Sequence, residues 1–186
     1  MPLSDAAGAR APALPTPEQA ADLYGWYATL TDGEQALRLK VRAFMERAVR
    51  PIADEYWERA EFYHHVVPEV KALGLLSDAY DPAVTNATVR DCVVSGEMAR
   101  VDPSMATFYG VHAGLCMGSI AMHASDEQKA EWLPKLRAWE AIGGFGLTEP
   151  DVGSGVARGL TRPCRRGRSA GGDDHGVLNG RQKWIG

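Results

Sequence analysis

The chain has 186 residues, 45% hydrophobic and 24% charged, with a formal net charge of -4. That composition fits an ordinary globular chain of one core, or one and part of another, and the negative balance argues against nucleic acid as a bulk partner. The three cysteines Cys92, Cys116 and Cys164 lack framework spacing, which points to reduced thiols in a reducing compartment, and no apolar run reads as long enough to cross a bilayer.

Residues 1–17 are rich in Ala and Pro, carry Asp5 and Arg10, and lack the basic start and apolar stretch of a secretory signal. They read as a disordered tail. A transit peptide is the weaker reading, so the cytoplasm is favoured, with the mitochondrial matrix as the alternative. Thr31 with Glu34 has capping-box spacing, and Leu37, Val41, Phe44 and Ala48 follow at helical intervals, so a helix begins there. Pro51 either kinks it or opens a new first turn. A second helix is predicted from His65 to Leu73, closed by Gly74 as a left-handed cap with Leu75 and Leu76 packed beneath.

From Thr88 to Arg100 the positions Val89, Val93, Gly96 and Met98 are helical in period and stop at Asp102-Pro103. Pro103 suits the first turn of the next helix, which runs to about Ala124. Its residues Met105, Phe108, Val111, Leu115, Met117 and Ile120 cover several faces, the pattern of a central buried helix. Ser125 and Gln128 form another capping pair before a shorter helix through Trp132, Leu133 and Leu136, with Pro134 as a disturbance. After Trp139 the pattern turns to strand and loop. The chain thus divides into a tail, a helical domain over 18–140 and the start of a β domain over 141–186, mainly α in class.

The most informative segment is Phe145 to Ser154. Phe145 and Leu147 alternate with Gly144 and Gly146, giving one apolar face and permitting close backbone approach. Thr148 supplies a hydroxyl that donates and accepts. Glu149 and Pro150 end the strand, and the turn from Asp151 through Gly153 to Ser154 can aim successive amides at an anion. At the far end Trp184, Ile185 and Gly186 add a flat aromatic face. An ordinary strand-turn has the same local composition. A dinucleotide fingerprint fails, because no third glycine and no opening helix follow Gly144-Phe145-Gly146.

Phe145 to Ser154 followed by Trp184 to Gly186 resembles the two flavin-contacting segments of the acyl-CoA dehydrogenase family, with similarity from about Thr31 to Ser154. The resemblance implies an α-helical N-terminal domain, a β-barrel-like middle domain and a C-terminal four-helix domain, of which only the first is complete here. It implies FAD contacts from Phe145, Gly146, Leu147, Thr148, Glu149, Pro150, Gly153, Ser154, Trp184, Ile185 and Gly186, and acyl-CoA contacts from Ala106, Thr107 and Ser154. It places the catalytic base on a glutamate of the C-terminal domain, so no residue of this chain is assigned that role and inactivity alone is expected. An electron-transfer flavoprotein or oxygen would accept electrons, and the full-length enzyme would be a homo-oligomer. Arg100-Val101-Asp102 suits the glutaryl-CoA dehydrogenase and short-chain acyl-CoA oxidase branch. Glutaryl enzymes, however, place an arginine where this chain has Ala106. A distal carboxylate would then lie unpaired, so a simple short or medium acyl chain is the expectation.

Residues 155–176 depart from the family. Gly155 stands where the family has Asp, and Arg158, Arg162, Arg165, Arg166 and Arg168 accompany Pro163 without alternation, so a disordered or badly paired segment is expected. A local reading-frame slip would explain it; a phosphate-binding loop is a weaker reading, because no aromatics are interleaved. Pattern resumes at Val177 to Gly180, where Asn179-Gly180 suits a hairpin turn. His112, Cys116 and His123 share a helical face, yet their setting favours core roles over metal. His64-His65 reads as solvated, and Glu97 and Glu149 as structural. Two readings outside enzymology stand beside the flavoprotein: a non-catalytic helical interaction module, and a degraded gene product.

Overall fold

The computed structural model describes residues 22–148, and the backbone of two strands at 164–168 and 174–178. The expected tail, the Asn179-Gly180 turn and Trp184 to Gly186 lie outside the described residues.

The first long helix begins as its sequence dictates. Thr31 accepts from the Glu34 backbone while the Glu34 carboxylate accepts from Thr31 N–H at 2.8 Å, satisfying two otherwise orphaned donors. Helix α1, Asp32–Phe44, runs into a π-helical turn at Met45–Val49 and on into α2, Arg50–Glu58. Pro51 does not break the chain's course: it sits in the first turn of α2, where a missing N–H costs little. A 3-10 turn at His64–Val66 leads into α3, Val67–Ala72, and Gly74 at φ 65° closes it. Leu75 and Leu76 are buried directly after that cap, and His64 and His65 are exposed. Helix α4 spans Ala87–Ala99.

The central helix is one rod in three parts: α5, Pro103–Gly110, a π-helical turn at Val111–Cys116, and α6, Met117–His123. Asp102 caps it, accepting from Ser104 N–H at 2.8 Å, and also accepts from the buried Tyr63 hydroxyl. Helix α7, Asp126–Arg137, opens with the Ser125–Gln128 capping box. Pro134 lies inside α7 without breaking it, on the exposed side, so the expected disturbance does not occur.

α1 packs on α4, α4 on α5, and α6 on α7. The core between them is Val41, Phe44, Met45 and Val49 against Val94, Met98, Met105, Tyr109 and Met117, with Leu133 and Leu136 closing one end. Each such side chain contributes about 1.5–3 kcal/mol by leaving water. Glu97 of α4 is 2% exposed, and Arg42 of α1 holds it with two bonds at 2.8 and 2.7 Å, joined by Arg100 at 3.3 Å. The α1–α4 seam is therefore ionic as well as apolar, and Glu97 is structural.

Three further expectations need correction. The central helix is not buried all round: Leu115 is 48% and Met122 70% exposed, because neighbouring helices cover only one side. By length and composition the helix Pro103–His123, 21 residues long with an 18-residue stretch of mean hydropathy 1.2, would also suffice to cross a bilayer, although the neighbouring helices pack on it as a core element. The third concerns the arginine-rich stretch. β1, Cys164–Arg168, pairs antiparallel with β2, Asp174–Leu178, in the register Cys164 to Leu178. Ladder bonds are made by backbone groups, so pairing does not require side-chain alternation.

Candidate functional site

The site begins where α7 ends. Trp139 follows the helix at φ 54°, a left-handed conformation that usually selects glycine. Its indole explains the exception: it stacks on His112 with centroids 4.1 Å apart and on Phe108 at 5.9 Å, and Phe108 in turn meets Phe62 at 4.7 Å. Packing holds a conformation that costs on the order of 1–3 kcal/mol.

His112 lies in the π-helical turn and is fully buried. Its Nδ1 accepts from Gly143 N–H at 2.9 Å, and its Nε2 donates to the Leu136 carbonyl at 3.1 Å, the tautomer that satisfies both partners. Burial holds its pKa below the usual histidine range, against an opposing pull from the Leu136 carbonyl. With both nitrogens taken by backbone, the ring has no ligand position left. Gly143 is equally constrained. A Cβ there would meet the Cys116 side chain, whose own Cβ would lie 2.6 Å away. Burial also raises the Cys116 thiol pKa. The chain leaving α7 is thus clamped at one glycine between a histidine and a cysteine of the central helix.

From that clamp residues 144–148 continue outside any helix or strand. The predicted alternation is present, with Phe145 and Leu147 half-buried and Gly144 and Gly146 exposed, and Thr148 half-buried. An apolar wall with accessible glycines fits a flat aromatic ring laid against it. No paired strand accompanies this stretch among the described residues, so the predicted strand is not formed over 144–148. Glu149, Pro150, Gly153, Ser154, Trp184, Ile185 and Gly186 lie outside the described residues. On α5, Ala106 is half-buried and Thr107 exposed, immediately before the Phe108 that stacks on Trp139. Phe108 and Trp139 thus form an aromatic brace between α5 and the chain leaving α7.

A cavity opens between α1, residues 75–91 and the central helix, lined by Leu76, Val94, Tyr109 and the glycines Gly110 and Gly114. Tyr80, at φ 61°, reaches across its edge and donates to the Ala113 carbonyl at 2.7 Å. The π-helical turn displaces carbonyls from regular helical bonding, which lets Tyr80 reach one. Sequence reading passed over Tyr80 and the clamp role of His112. The only available signal was a histidine on an apolar helix preceding a glycine-rich segment.

The architecture is a helical domain whose central helix clamps, through His112 and Cys116, the glycine-punctuated segment that follows α7. Residues 31–140 match the family described as acyl-CoA dehydrogenase, N-terminal domain, and the chain belongs to the acyl-CoA dehydrogenase family. It is 28% identical over 161 residues to the mitochondrial isovaleryl-CoA dehydrogenase of Bos taurus, covering 84% of this chain and 36% of that protein. To the glutaryl-CoA dehydrogenase of Desulfococcus multivorans it is 29% identical over 157 residues, 81% of this chain and 39% of that one. A glutaryl-CoA dehydrogenase from Mycobacterium smegmatis, solved in complex with FADH2, superposes with a TM-score of 0.73 at 34% identity, covering 89% of this chain and 42% of that chain. The chain thus spans roughly two fifths of the length of these relatives.

Proposed function

We propose that the chain forms the front portion of an FAD-dependent acyl-CoA dehydrogenase, with a helical domain over 18–140 and the start of a β domain over 141–186. The observation that carries this reading is the clamped segment: Gly143 held by His112, then half-buried Phe145 and Leu147 alternating with exposed glycines. In this reading Phe145 to Pro150, Gly153, Ser154 and Trp184 to Gly186 hold the flavin, and Ala106, Thr107 and Ser154 touch the acyl thioester. FAD, when bound, supplies the hydride acceptor. The chain's own residues supply the apolar wall, the hydroxyl of Thr148 and the placement of both relative to the central helix. The base that removes the α proton lies outside these residues, and no metal is assigned a role. An electron-transfer flavoprotein or oxygen takes the electrons, the whole enzyme is a homo-oligomer, and the cytoplasm is its compartment, with the mitochondrial matrix second.

The reading favours an acyl group without a distal carboxylate, because Ala106 offers no cation. The test has two arms. The 186-residue chain alone is expected to give no acyl-CoA-dependent reduction of an electron acceptor. Joined to the remaining C-terminal region of the Desulfococcus glutaryl-CoA dehydrogenase, it is expected to purify yellow and turn over. A folded, colourless chimera that takes up no FAD overturns the proposal. Exposed Leu115 and Met122 also favour the second reading, a helical interaction module; concentration-dependent stability without flavin would support it.

A further inference from the structure

A cleft of about 420 Å³ lies at the corner where α2 ends and the chain turns towards α3. Four of its lining residues are aromatic, Tyr56, Trp57, Phe62 and Tyr63, and Glu61 and Asp102 bring carboxylates to it. The rings differ in what they already do. Phe62 stacks on Tyr63 with centroids 4.7 Å apart and packs on Phe108, while Tyr63 is buried and meets Tyr56 edge-on at 5.7 Å. Trp57 has no such task. It is 77% exposed, and among the described residues its indole has no ring partner and no cation over it. Two backbone bonds fix the turn: Ala60 N–H donates to the Trp57 carbonyl at 3.1 Å and Glu61 N–H to the Tyr56 carbonyl at 3.0 Å. Ala60 takes φ 52° there, where glycine is usual. One turn therefore holds two rings and an acid at the mouth of the cleft.

The charge around the cleft has one sign. No Lys or Arg lines it, and residues 54–61 carry Asp54, Glu55, Glu58 and Glu61 against a single cation, Arg59, which Glu55 already holds. The Glu61 carboxylate has no partner among the described residues. Asp102 is only 9% exposed; its two oxygens accept from the Tyr63 hydroxyl and from Ser104 N–H, and no cation among the described residues neutralises it. Aromatic faces and unneutralised carboxylates both attract positive charge. The acceptors decide which kind. A primary ammonium brings three N–H donors that need acceptors once buried, and each Asp102 oxygen already has a donor. A methylated ammonium has no N–H to satisfy and lays methyl groups against Ala53, Ala60 and the rings. We propose that the cleft binds a quaternary ammonium group, its methyls against Tyr56 and Trp57 and its charge towards Glu61 and Asp102. The site is independent of the acyl-CoA reading, since it shares no residue with the Gly143 clamp or with the flavin and acyl assignments.

The probe is choline, compared with 3,3-dimethylbutanol, its uncharged carbon isostere, and with ethanolamine, which keeps the charge and lacks the methyls. Each is titrated into the full 186-residue chain at constant ionic strength set with sodium chloride. The NMR signals followed are the Trp57 indole N–H and the amides of Ala60 and Glu61. Choline is expected to shift them and to bind at least about tenfold more tightly than either comparison compound, because the ring faces need the charge and the apolar wall needs the methyls. Trp57→Leu is expected to weaken choline about tenfold, and Glu61→Gln about threefold. Both side chains are exposed, so neither change removes packing from the core. Choline that moves nothing beyond the sodium chloride control overturns the proposal. An isostere that binds as tightly does the same, since the cleft is then merely apolar, as does an equal affinity for ethanolamine, the mark of a site for any amine. Choline binding that survives intact in Trp57→Leu also overturns it, because acidic surface alone would then account for the effect. The three compounds on the wild-type chain decide the matter even where a variant fails to fold.

Discussion

Replacing His112 by phenylalanine tests the clamp while keeping the stack on Trp139. The change leaves the Gly143 N–H without its acceptor and removes a donor from the Leu136 carbonyl. That carbonyl keeps the Trp139 N–H at 3.0 Å, so its loss is the smaller one. An orphaned amide costs about 1–3 kcal/mol and a net lost bond about 0.5–1.5 kcal/mol, so about 2–4 kcal/mol is expected in all. At about 4 °C per kcal/mol for a domain of this size, the melting temperature falls by roughly 8–16 °C. The pH dependence is the sharper readout. His112 has its pKa lowered in the folded state from 6.5, chiefly by burial. The unfolded chain therefore binds the extra proton first, and the contribution of neutral His112 is full above pH 6.5 and lost as pH falls towards the lower native value. Circular-dichroism melts at pH 7.5 and 5.5 should show the wild-type advantage over His112→Phe shrinking on acidification. A variant within about 0.5 kcal/mol of wild type at pH 7.5, or one whose difference is the same at both pH values, refutes the reasoning.

The other expectations concern separate parts of the fold. Gly143→Ala should lower stability by about 1–3 kcal/mol, since the new methyl collides with Cys116, and Cys116→Gly in the same chain should recover part of it; thermal melts of the two variants check the coupling. Glu97→Ala should cost about 1.5–3 kcal/mol by removing the buried carboxylate that Arg42 and Arg100 share in the α1–α4 seam, read from urea unfolding. The chain alone should show no acceptor reduction with any acyl-CoA, measured spectrophotometrically against an enzyme-free blank.

Much of the helical domain was legible residue by residue. Thr31 with Glu34 and Ser125 with Gln128 mark helix starts because the groups that satisfy one another lie within one turn. Gly74 marks a stop for the same local reason. The errors came where a local rule met a distant partner. Pro134 reads as a break, yet on an exposed face it is tolerated, and the central helix reads as wholly buried although its neighbours cover one side only. The arginine-rich stretch lacks alternation, but strand pairing answers to backbone geometry.

At the site the division is the same. The amino-acid order alone determined the helix limits, the family, and the alternation of Phe145 and Leu147 with glycines, since each depends on neighbours along the chain. Tertiary structure alone decided that His112 grips Gly143 across 31 residues, that Trp139 accepts a left-handed backbone, and that Gly110 and Gly114 face empty space. Those facts depend on which surfaces meet, and contacts between distant segments leave no period in the sequence by which to find them.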